Sequence, residues 1–289
     1  MKIIDTTTFY NENLMMDVRF NILNNYVDYF VVCEAKYSHS GKKKELNFKI
    51  NNFSEFKKKI IYLIVDNEPS NLINGNEDIA TMRMNSIKRI SHQRNYIKNC
   101  LTNFSNDDLI LYSDNDEIPK LDKSLIDDKT DLILFKQKIY YYKFNLILPN
   151  IDWFGTKGCR VKSFKDTTWL RSIKNKKYSS LRLDTIFSKS KYQNIKIITN
   201  GGWHFSNLKS VTDLHDKYLN DENHAVFDKM MNIDEIEKNV KNWEIGIDHT
   251  QDKKSSKLFT KVKLQKDELS KLPSYIVNNQ IKFKDWIIK

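Results

Sequence analysis

The chain has 289 residues, of which 40% are hydrophobic and 29% are charged, values that are ordinary for a globular protein. Its formal net charge of +11 points to an anionic partner, although a lysine-rich surface from a biased composition would give the same total. No apolar run reaches the ~20 residues of a membrane span, the N-terminus lacks a signal-peptide pattern, and three scattered cysteines do not form a disulfide framework, so we expect a soluble cytoplasmic protein.

The first part of the chain alternates short apolar runs with segments of helical periodicity. KIIDTTTF predicts a strand, and NENLMMDVRFNILNNY places Leu14, Val18 and Ile22 on one face of a helix. Strands are predicted at Asp28 to Ala35, at Lys59 to Asp66 and at DLILYS, with a helix over SIKRISHQRNYIKNCLTNF before the last of these. Short apolar strands separated by helices predict an α/β fold, with a mostly parallel central sheet flanked by helices.

The second part predicts strands first and helices afterwards. DLILFKQKIYYYKFNLIL reads as one or two long strands, and IKIITN as a later one. From about Asp213 onward a helical pattern dominates, interrupted by DKKSSKLFTKVKLQKDE, which predicts a basic surface connector. We therefore expect one large domain over residues 1–230 and a mainly helical, basic extension over residues 231–289.

A turn rich in carboxylates, SDNDEIP, follows the strand DLILYS. Ligands of open α/β sheets bind outside the carboxyl ends of the strands, and Asp114 and Asp116 alternate so that both can point to one side. Such a pair suits Mn²⁺ or Mg²⁺ bound to a diphosphate. The turn lacks the glycine of an EF-hand loop and runs into Pro119. A plain acidic turn that caps the next element is the open alternative.

An Arg-Asn pair in HQRNYI precedes this turn by one helix and one strand. If the helix packs beside the strand, Arg94 can approach the same diphosphate, because its planar guanidinium suits phosphate oxygens. A surface arginine is the ordinary alternative.

The order of these motifs resembles that of the GT-A nucleotide-sugar glycosyltransferases and, more narrowly, glycosyltransferase family 17. The resemblance is carried by DTTTFYNENLMMDVRFN, VDYFVVCEAKYSHSGKKKEL, HQRNYI, SDNDEIP and NGGWHFSNL, in that order, over roughly the first three-quarters of the chain. It implies a GT-A fold, a UDP-sugar donor that carries N-acetylglucosamine, a glycan or glycoconjugate acceptor, Mn²⁺ or Mg²⁺ as cofactor and inversion at the anomeric carbon.

The same resemblance implies roles for single residues. The implied metal ligands are Asp114, Asp116 and His204. The implied donor contacts are Phe9, Asn11, Glu34, Arg94, Asn95, Asp114 and Trp203. The implied contacts to the rest of the substrate are His39, Ser40 and Trp153. The residues of GGWHFS agree, since its glycines permit close backbone approach, Trp203 offers a flat apolar face and an imidazole suits Mn²⁺. Without the resemblance, these residues favour a tight turn with a packed tryptophan and a surface histidine.

An inverting transferase also needs a general base for the acceptor hydroxyl. Asp184 in SLRLDTIF and Glu222 in NDENH are the candidates, because both lie between or just after the other motifs. Either residue could instead be a structural or surface carboxylate. Glycoside hydrolysis is the weaker reading, because Asp114 and Asp116 are too close in sequence to flank a sugar from opposite sides.

A nucleic-acid-binding protein without catalytic activity is the alternative from another class. The positive charge suits it, and Tyr140, Tyr141 and Tyr142 could form a stacking surface. Carboxylates beside the Arg-Asn helix would repel phosphates unless a metal intervened, so we expect no nucleic-acid partner. The basic surface could instead make a peripheral contact with an anionic membrane.

Overall fold

The alternation of strands and helices expected from the sequence is present in the structure, a computed structural model that describes residues 1–75, 78–122, 124, 126, 131–179, 181–185, 187–226, 232–247 and 258–289. The first strands are β1 (Ile3–Phe9), β2 (Tyr29–Ala35), β3 (Ile60–Val65) and β4 (Leu109–Ser113). They run parallel in the order β3-β2-β1-β4. The helices between them are α1 (Asn13–Leu23) and α2 (Ile79–Tyr96), with 3₁₀ helices at Ile50–Lys59 and Ile97–Asn103. The predicted α/β fold is confirmed.

The sheet continues with strands of mixed direction. These are β5 (Glu117–Pro119), β6 (Leu132–Tyr141), β7 (Leu146–Arg160), β8 (Lys196–Ile198) and β9 (Gly202–Ser206). Strand β7 is antiparallel to both β4 and β6, and β9 pairs with β6 in parallel and with β5 in antiparallel fashion. Because β5 leaves the acidic turn directly, its pairing with β9 sets that turn beside the GGWHFS segment.

Both faces of the sheet are covered by apolar packing. Alternate residues of β2 point to opposite faces, so Phe30 and Val32 belong to one buried cluster while Val31 and Cys33 belong to the other. On the first face the ring of Phe20, from α1, lies 4.6 Å from that of Phe30. Full burial of such a side chain contributes about 1.5–3 kcal/mol, which explains why these short strands read as continuous apolar runs.

The C-terminal part combines helices with short strands. It contains α3 (Thr167–Ser172), α4 (Val211–Asn220), α5 (Ile233–Asn242), β10 (Glu244–Ile247), β11 (Leu258–Lys263), β12 (Gln265–Lys266) and α6 (Ser274–Asn278). The connector predicted around LFTKVK was wrong, because these residues form β11, which is antiparallel to β10. The side chain of Val262 in this strand packs against a buried cluster with Ile245 and Leu264, and apolar and β-branched residues favour such a strand.

The boundary expected between residues 230 and 231 lies outside the described residues. On its C-terminal side, β12 pairs with β7 of the main sheet, and the ring of Phe283 lies 5.3 Å from that of Phe144. Residues near the end of the chain therefore contact the main sheet directly. Within the described ranges, no helix has both the length and the apolar character required to cross a bilayer.

Candidate functional site

A cavity of about 430 Å³ opens where β1 and β4 end. Residues from the end of β1, from α2, from the acidic turn, from β7 and β9 and from the chain after α4 line it. Those that matter below are Phe9, Arg94, Asp114, Asp116, Trp153, Arg171, His204 and Glu222. The carboxyl ends of parallel strands meet there, which is where open α/β sheets bind ligands.

A buried arginine fixes the backbone of the acidic turn. The guanidinium of Arg19, on α1, pairs with both carboxylate oxygens of Asp5 on β1, at 2.7 and 2.6 Å. Its remaining nitrogen donates to the backbone carbonyl of Glu117 at 2.9 Å. The turn also closes on itself, since the Glu117 amide donates to the Asp114 carbonyl at 3.0 Å. The direction of the carboxylates in this turn is therefore set by side chains far away in sequence.

Asp114 is engaged by two arginines and a tyrosine. One nitrogen of Arg94 lies 2.8 and 2.9 Å from the two carboxylate oxygens, and Arg171 on α3 donates to one of them at 3.1 Å. The hydroxyl of Tyr112 donates at 2.9 Å. Burial alone would favour the neutral acid, but the charges of Arg171 and Arg94 outweigh it and hold the pKa of Asp114 well below its usual range.

Glu117 is buried and equally engaged. One of its oxygens accepts from the indole nitrogen of Trp153 at 2.6 Å, and the other from Arg171 at 2.8 Å and from the Asp114 amide at 2.9 Å. We call Arg94, Tyr112, Asp114, Glu117 and Arg171 the charge-paired cluster. Its arginine and carboxylate charges balance, so it is stable without any ligand.

Asp116, His204 and Glu222 have fewer partners, and we call them the open group. The nearest atoms of Asp116 and His204, Oδ2 and Nε2, are 3.5 Å apart. Glu222 uses one oxygen for Arg83, at 3.0 and 2.8 Å. Over the described ranges, no hydrogen bond is formed by the other oxygen of either carboxylate or by the buried Nδ1 of His204. These free polar atoms are available to a ligand.

The pKa values of Asp116 and His204 shift in opposite directions. Burial opposes ionisation of both side chains, but each stabilises the charge of the other, which lowers the pKa of Asp116 and raises that of His204. The pairing of β5 with β9 brings these side chains together, because Glu117 and His204 are register partners.

The donor atoms present fit a metal bound by fewer protein ligands than the three expected. Asp114 was expected to bind the metal, but both its oxygens are occupied by Arg94, Arg171 and Tyr112. Oδ2 of Asp116 and Nε2 of His204 face each other at 3.5 Å, so these two atoms could share a metal in place of their direct contact. Groups of three or more His, Cys, Asp or Glu arranged for a metal are absent from the described residues. One carboxylate and one imidazole, completed by phosphate oxygens, suit Mn²⁺ or Mg²⁺.

Glu34 lies outside the cavity and is a structural residue. Its oxygens accept from the amides of Asn47 and Phe48 at 2.7 and 3.0 Å, from the hydroxyl of Tyr62 at 2.7 Å and from the ammonium group of Lys44. A buried carboxylate needs such partners, and they leave none of its oxygens for a nucleoside. The expected donor contact is therefore corrected.

Trp203 faces away from the cavity. Successive residues of a strand point to opposite faces of the sheet, so the neighbour of His204 faces a separate cavity of about 870 Å³. Its indole nitrogen donates to the carbonyl of Lys271 at 2.8 Å. The tryptophan beside the site is instead Trp153, whose ring lies 5.3 Å from that of His204.

Asn95, Asn11 and Ser40 also lie outside the cavity lining. The Asn95 side-chain oxygen accepts from the backbone and hydroxyl of Thr168, at 3.0 and 3.1 Å, and so ties α2 to α3. Asn11 accepts from the ammonium group of Lys209, and the hydroxyl of Ser40 donates to Asn220 at 3.2 Å. These contacts are structural.

Phe9 and His39 do line the cavity, as expected. Phe9 is buried, and its ring packs at 5.3 Å from that of Phe48, so it forms part of the wall. Burial lowers the pKa of His39, which favours the neutral imidazole.

The two candidates for the general base, Glu222 and Asp184, lie in different parts of the structure. Glu222 lines the cavity, whereas Asp184 does not. Asp184 is exposed and pairs with Arg182 and Lys191, and these hydrogen bonds lower its pKa to about 2. A carboxylate held so firmly in its ionised form is a poor proton acceptor. Asp184 is therefore corrected to a surface residue.

Arg171 and Arg19 were not identified from the sequence. Arg171 is carried by the short helix α3, which begins after Asp166, whose side chain caps the helix by accepting from the amide of Trp169 at 2.6 Å. A helix of this length spans fewer than two turns, so its sequence contains no recognisable helical period of apolar residues. Arg19 was visible only as a charge within the apolar pattern of α1, and a charge at such a position could have signalled a buried pair.

The alternative of a nucleic-acid stacking surface is not supported. Tyr140, Tyr141 and Tyr142 are each 5% exposed or less, so their rings cannot stack on bases.

Comparisons with known proteins agree with the motifs. The chain matches glycosyltransferase family 17 over residues 1–287. The beta-1,4-mannosyl-glycoprotein 4-beta-N-acetylglucosaminyltransferases of Rattus norvegicus and Homo sapiens are both 28% identical to it over 151 residues, which are 50% of this chain but only 27% of each relative. A Bacillus anthracis structure assigned as a glucose-1-phosphate thymidylyltransferase, in complex with a sucrose, is 13% identical, with a TM-score of 0.32 over 70% of this chain and 87% of that one. Because the family match spans nearly the whole chain, the protein belongs to glycosyltransferase family 17.

Proposed function

We propose that this family 17 protein is a glycosyltransferase that moves N-acetylglucosamine from a UDP-sugar to a hydroxyl group of a glycan or glycoconjugate, with inversion at the anomeric carbon and with Mn²⁺ or Mg²⁺ as cofactor. The observation that carries the proposal is the cavity at the ends of β1 and β4, where the open group lies beside the charge-paired cluster. The choice of sugar follows the names of the two mammalian relatives and the resemblance of the motifs.

The cavity offers positive groups to a diphosphate. The buried Nε of Arg94 has no hydrogen-bond partner among the described residues. Lys217 also lines the cavity, where its ammonium group bonds the neutral side chain of Asn207 at 2.8 Å and its charge stabilises the carboxylates of Asp116 and Glu12. A nearby phosphate would satisfy both groups.

Asp116 and His204 would hold the divalent metal, which when bound supplies Lewis-acid neutralisation of the charge on the departing UDP. The chain itself orients these ligands through the pairing of β5 with β9 and through the contact of Arg19 with the Glu117 carbonyl.

Glu222 is the proposed general base. The acceptor oxygen forms a bond to the anomeric carbon, the bond from that carbon to the diphosphate oxygen breaks, and the hydroxyl proton passes to the free oxygen of Glu222. The ring of Trp153, held by its hydrogen bond to Glu117, offers a flat apolar face on which a sugar can lie.

The donor site is tested by calorimetric titration of UDP into the full chain, with Mn²⁺ and with EDTA. We expect binding that requires the metal and that weakens by about tenfold or more in Asp116→Asn, a change of ~1.4 kcal/mol. Asp107→Asn is the matched control, because this carboxylate is 75% exposed and pairs with Lys162 away from the cavity.

Equal UDP affinity in EDTA would contradict the metal requirement, and no binding under any condition would contradict the donor. If UDP binds as expected, slow hydrolysis of UDP-N-acetylglucosamine against UDP-glucose and UDP-galactose tests the choice of sugar.

A further inference from the structure

The loop between α3 and β8 displays three large apolar side chains to solvent. Leu181, Leu183 and Phe187 are 89%, 75% and 88% exposed. Single exposed apolar residues are ordinary, but several close together in sequence on one loop indicate an interaction site.

The base of this loop is well ordered by backbone hydrogen bonds. The amide of Lys174 donates to the carbonyl of Ser190 at 2.8 Å, and the amide of Tyr178 donates to that of Tyr192 at 3.1 Å. Two bonds that join its beginning to its end give the loop a fixed base. The apolar residues therefore lie on a loop whose two ends are joined by backbone hydrogen bonds.

Basic side chains, which we call the collar, are dense in the same loop as the three apolar residues, which we call the tip. Residues 174–191 contain six basic side chains and one aspartate: Lys174, Lys176, Lys177, Arg182, Lys189, Lys191 and Asp184. Asp184 is neutralised by Arg182 and Lys191, at 2.8 and 2.6 Å. The charged groups of Lys176, Arg182 and Lys191 also lie 5.0, 5.5 and 5.8 Å from the centre of the Tyr178 ring. The collar is therefore held together by a shared aromatic ring.

We propose that this loop is a contact surface for an anionic lipid bilayer. Leu181, Leu183 and Phe187 enter the boundary between headgroups and acyl chains, while the collar pairs with negative headgroups. Apolar residues beside a dense basic cluster are the pattern by which peripheral proteins bind anionic membranes. Three side chains at a loop tip are too few to bury the ~800 Å² per partner of a standard protein interface, so the membrane is the better occupant.

The loop is continuous with the cavity. It begins directly after Ile173, and the ammonium group of Lys157 bonds the carbonyls of both Arg171 and Ile173, at 2.8 and 2.5 Å. Arg171 in turn contacts Asp114. The beginning of the loop is therefore linked by hydrogen bonds to the charge-paired cluster. The proposal does not depend on the identity of the sugar or of its acceptor.

The test is co-sedimentation of the full chain with vesicles of phosphatidylcholine alone or mixed with phosphatidylglycerol. We expect binding to the mixed vesicles that weakens at high salt. The variant Leu181→Ser/Leu183→Ser/Phe187→Ser should lower the bound fraction at least ~tenfold. Its matched control removes three other exposed apolar side chains, Ile73→Ser/Ile233→Ser/Ile281→Ser, which are 41%, 43% and 90% exposed.

A second variant separates the collar from the tip. Lys176→Glu/Lys177→Glu/Lys189→Glu should lose the preference for phosphatidylglycerol. Failure of the chain to bind any vesicle would overturn the proposal, as would equal binding by the tip variant and its control. Self-association that only the tip variant abolishes, seen by sedimentation velocity without lipid, would assign the surface to a second copy instead. UDP titration of each variant reports the donor site separately, so the two proposals fail independently.

Discussion

Asp114 and Asp116 are two residues apart, yet they belong to regions of the site with opposite properties. In the charge-paired cluster, partners of Asp114 come from α2 and α3, 20 and 57 residues away in sequence, and occupy both its oxygens. In the open group, Asp116 forms its one ion pair within the described residues with His204, at 3.5 Å. The acidic turn therefore places one carboxylate in a finished network and leaves the other ready for a ligand.

This difference assigns separate tasks to the two regions. A buried ion network needs every partner in place, because each unpaired charge is costly. Such a network can hold the cavity in shape, but it cannot release a carboxylate without loss. The open group has free polar atoms and can gain partners without losing any. We infer that the charge-paired cluster stabilises the site and that the open group performs binding and proton transfer.

The largest expected effect concerns the open group. Glu222→Gln removes the proton acceptor, so we expect the rate of UDP release from the donor, with water as acceptor, to fall by ~100-fold or more. Stability should hardly change, because Arg83, the partner of Glu222, is 56% exposed and can be solvated. The control is Asp184→Asn, the other carboxylate that the sequence suggested, whose rate should match that of the wild type. Equal losses in both variants would contradict the assignment.

A smaller effect is expected on the free energy of unfolding. Asp114→Asn leaves Arg94 and Arg171 without their shared carboxylate. Removal of one partner of a fully buried pair costs ~3–5 kcal/mol, and since the side chain of Asp114 is 30% exposed we expect about 2–3 kcal/mol. Asp116→Asn should cost less, because it loses one contact with His204 at 3.5 Å and no charge-assisted hydrogen bond to an arginine. Urea unfolding of the two variants measures this difference. Similar losses in the free energy of unfolding would contradict the separate roles of the charge-paired cluster and the open group.

The fold could be predicted well from the sequence because buried positions are occupied by apolar residues that recur at the spacing of a strand or a helix. Strands β1 to β4 are covered on both faces, so each appears as an apolar run, and the helices between them show a 3.6-residue period. The pairing of β11 was missed because LFTKVK alternates apolar and basic residues in a lysine-rich context, which resembles a solvated connector.

The site was predicted less completely, since a motif names residues but not their partners. SDNDEIP and GGWHFS do meet, through β5 and β9. The sequence could not show that Trp203 faces the opposite side of the sheet or that Glu34 is satisfied by Asn47, Phe48 and Tyr62. Strand register and long-range hydrogen bonds decide these points, and neither has a local signature.

The smallest expected effect concerns Lys157, which bonds the backbone next to the charge-paired cluster. Burial, together with the charge of Arg171, lowers the pKa of Lys157 to about 7, against ~10.4 in an unfolded chain. Between these values the unfolded chain binds a proton that the folded one lacks, so the stability contribution of Lys157 rises with pH from about 7 to about 10. Below pH 7 both states are protonated, and the burial of the charge is fully unfavourable.

Lys157→Met should remove this dependence. Each unit of pKa difference corresponds to about 1.4 kcal/mol, and the variant also loses the two hydrogen bonds to the Arg171 and Ile173 carbonyls. We therefore compare the free energy of unfolding of Lys157→Met with that of the wild type by urea unfolding. We expect the difference, variant minus wild type, to be ~2 kcal/mol more favourable to the variant at pH 6 than at pH 10. Lys162→Met is the control, because Lys162 is half exposed and its ammonium group pairs with the exposed Asp107, so its effect should be the same at both pH values. If Lys157→Met changed the free energy of unfolding equally at both pH values, the ammonium group of Lys157 would stay charged over this range, and the lowered pKa would be contradicted.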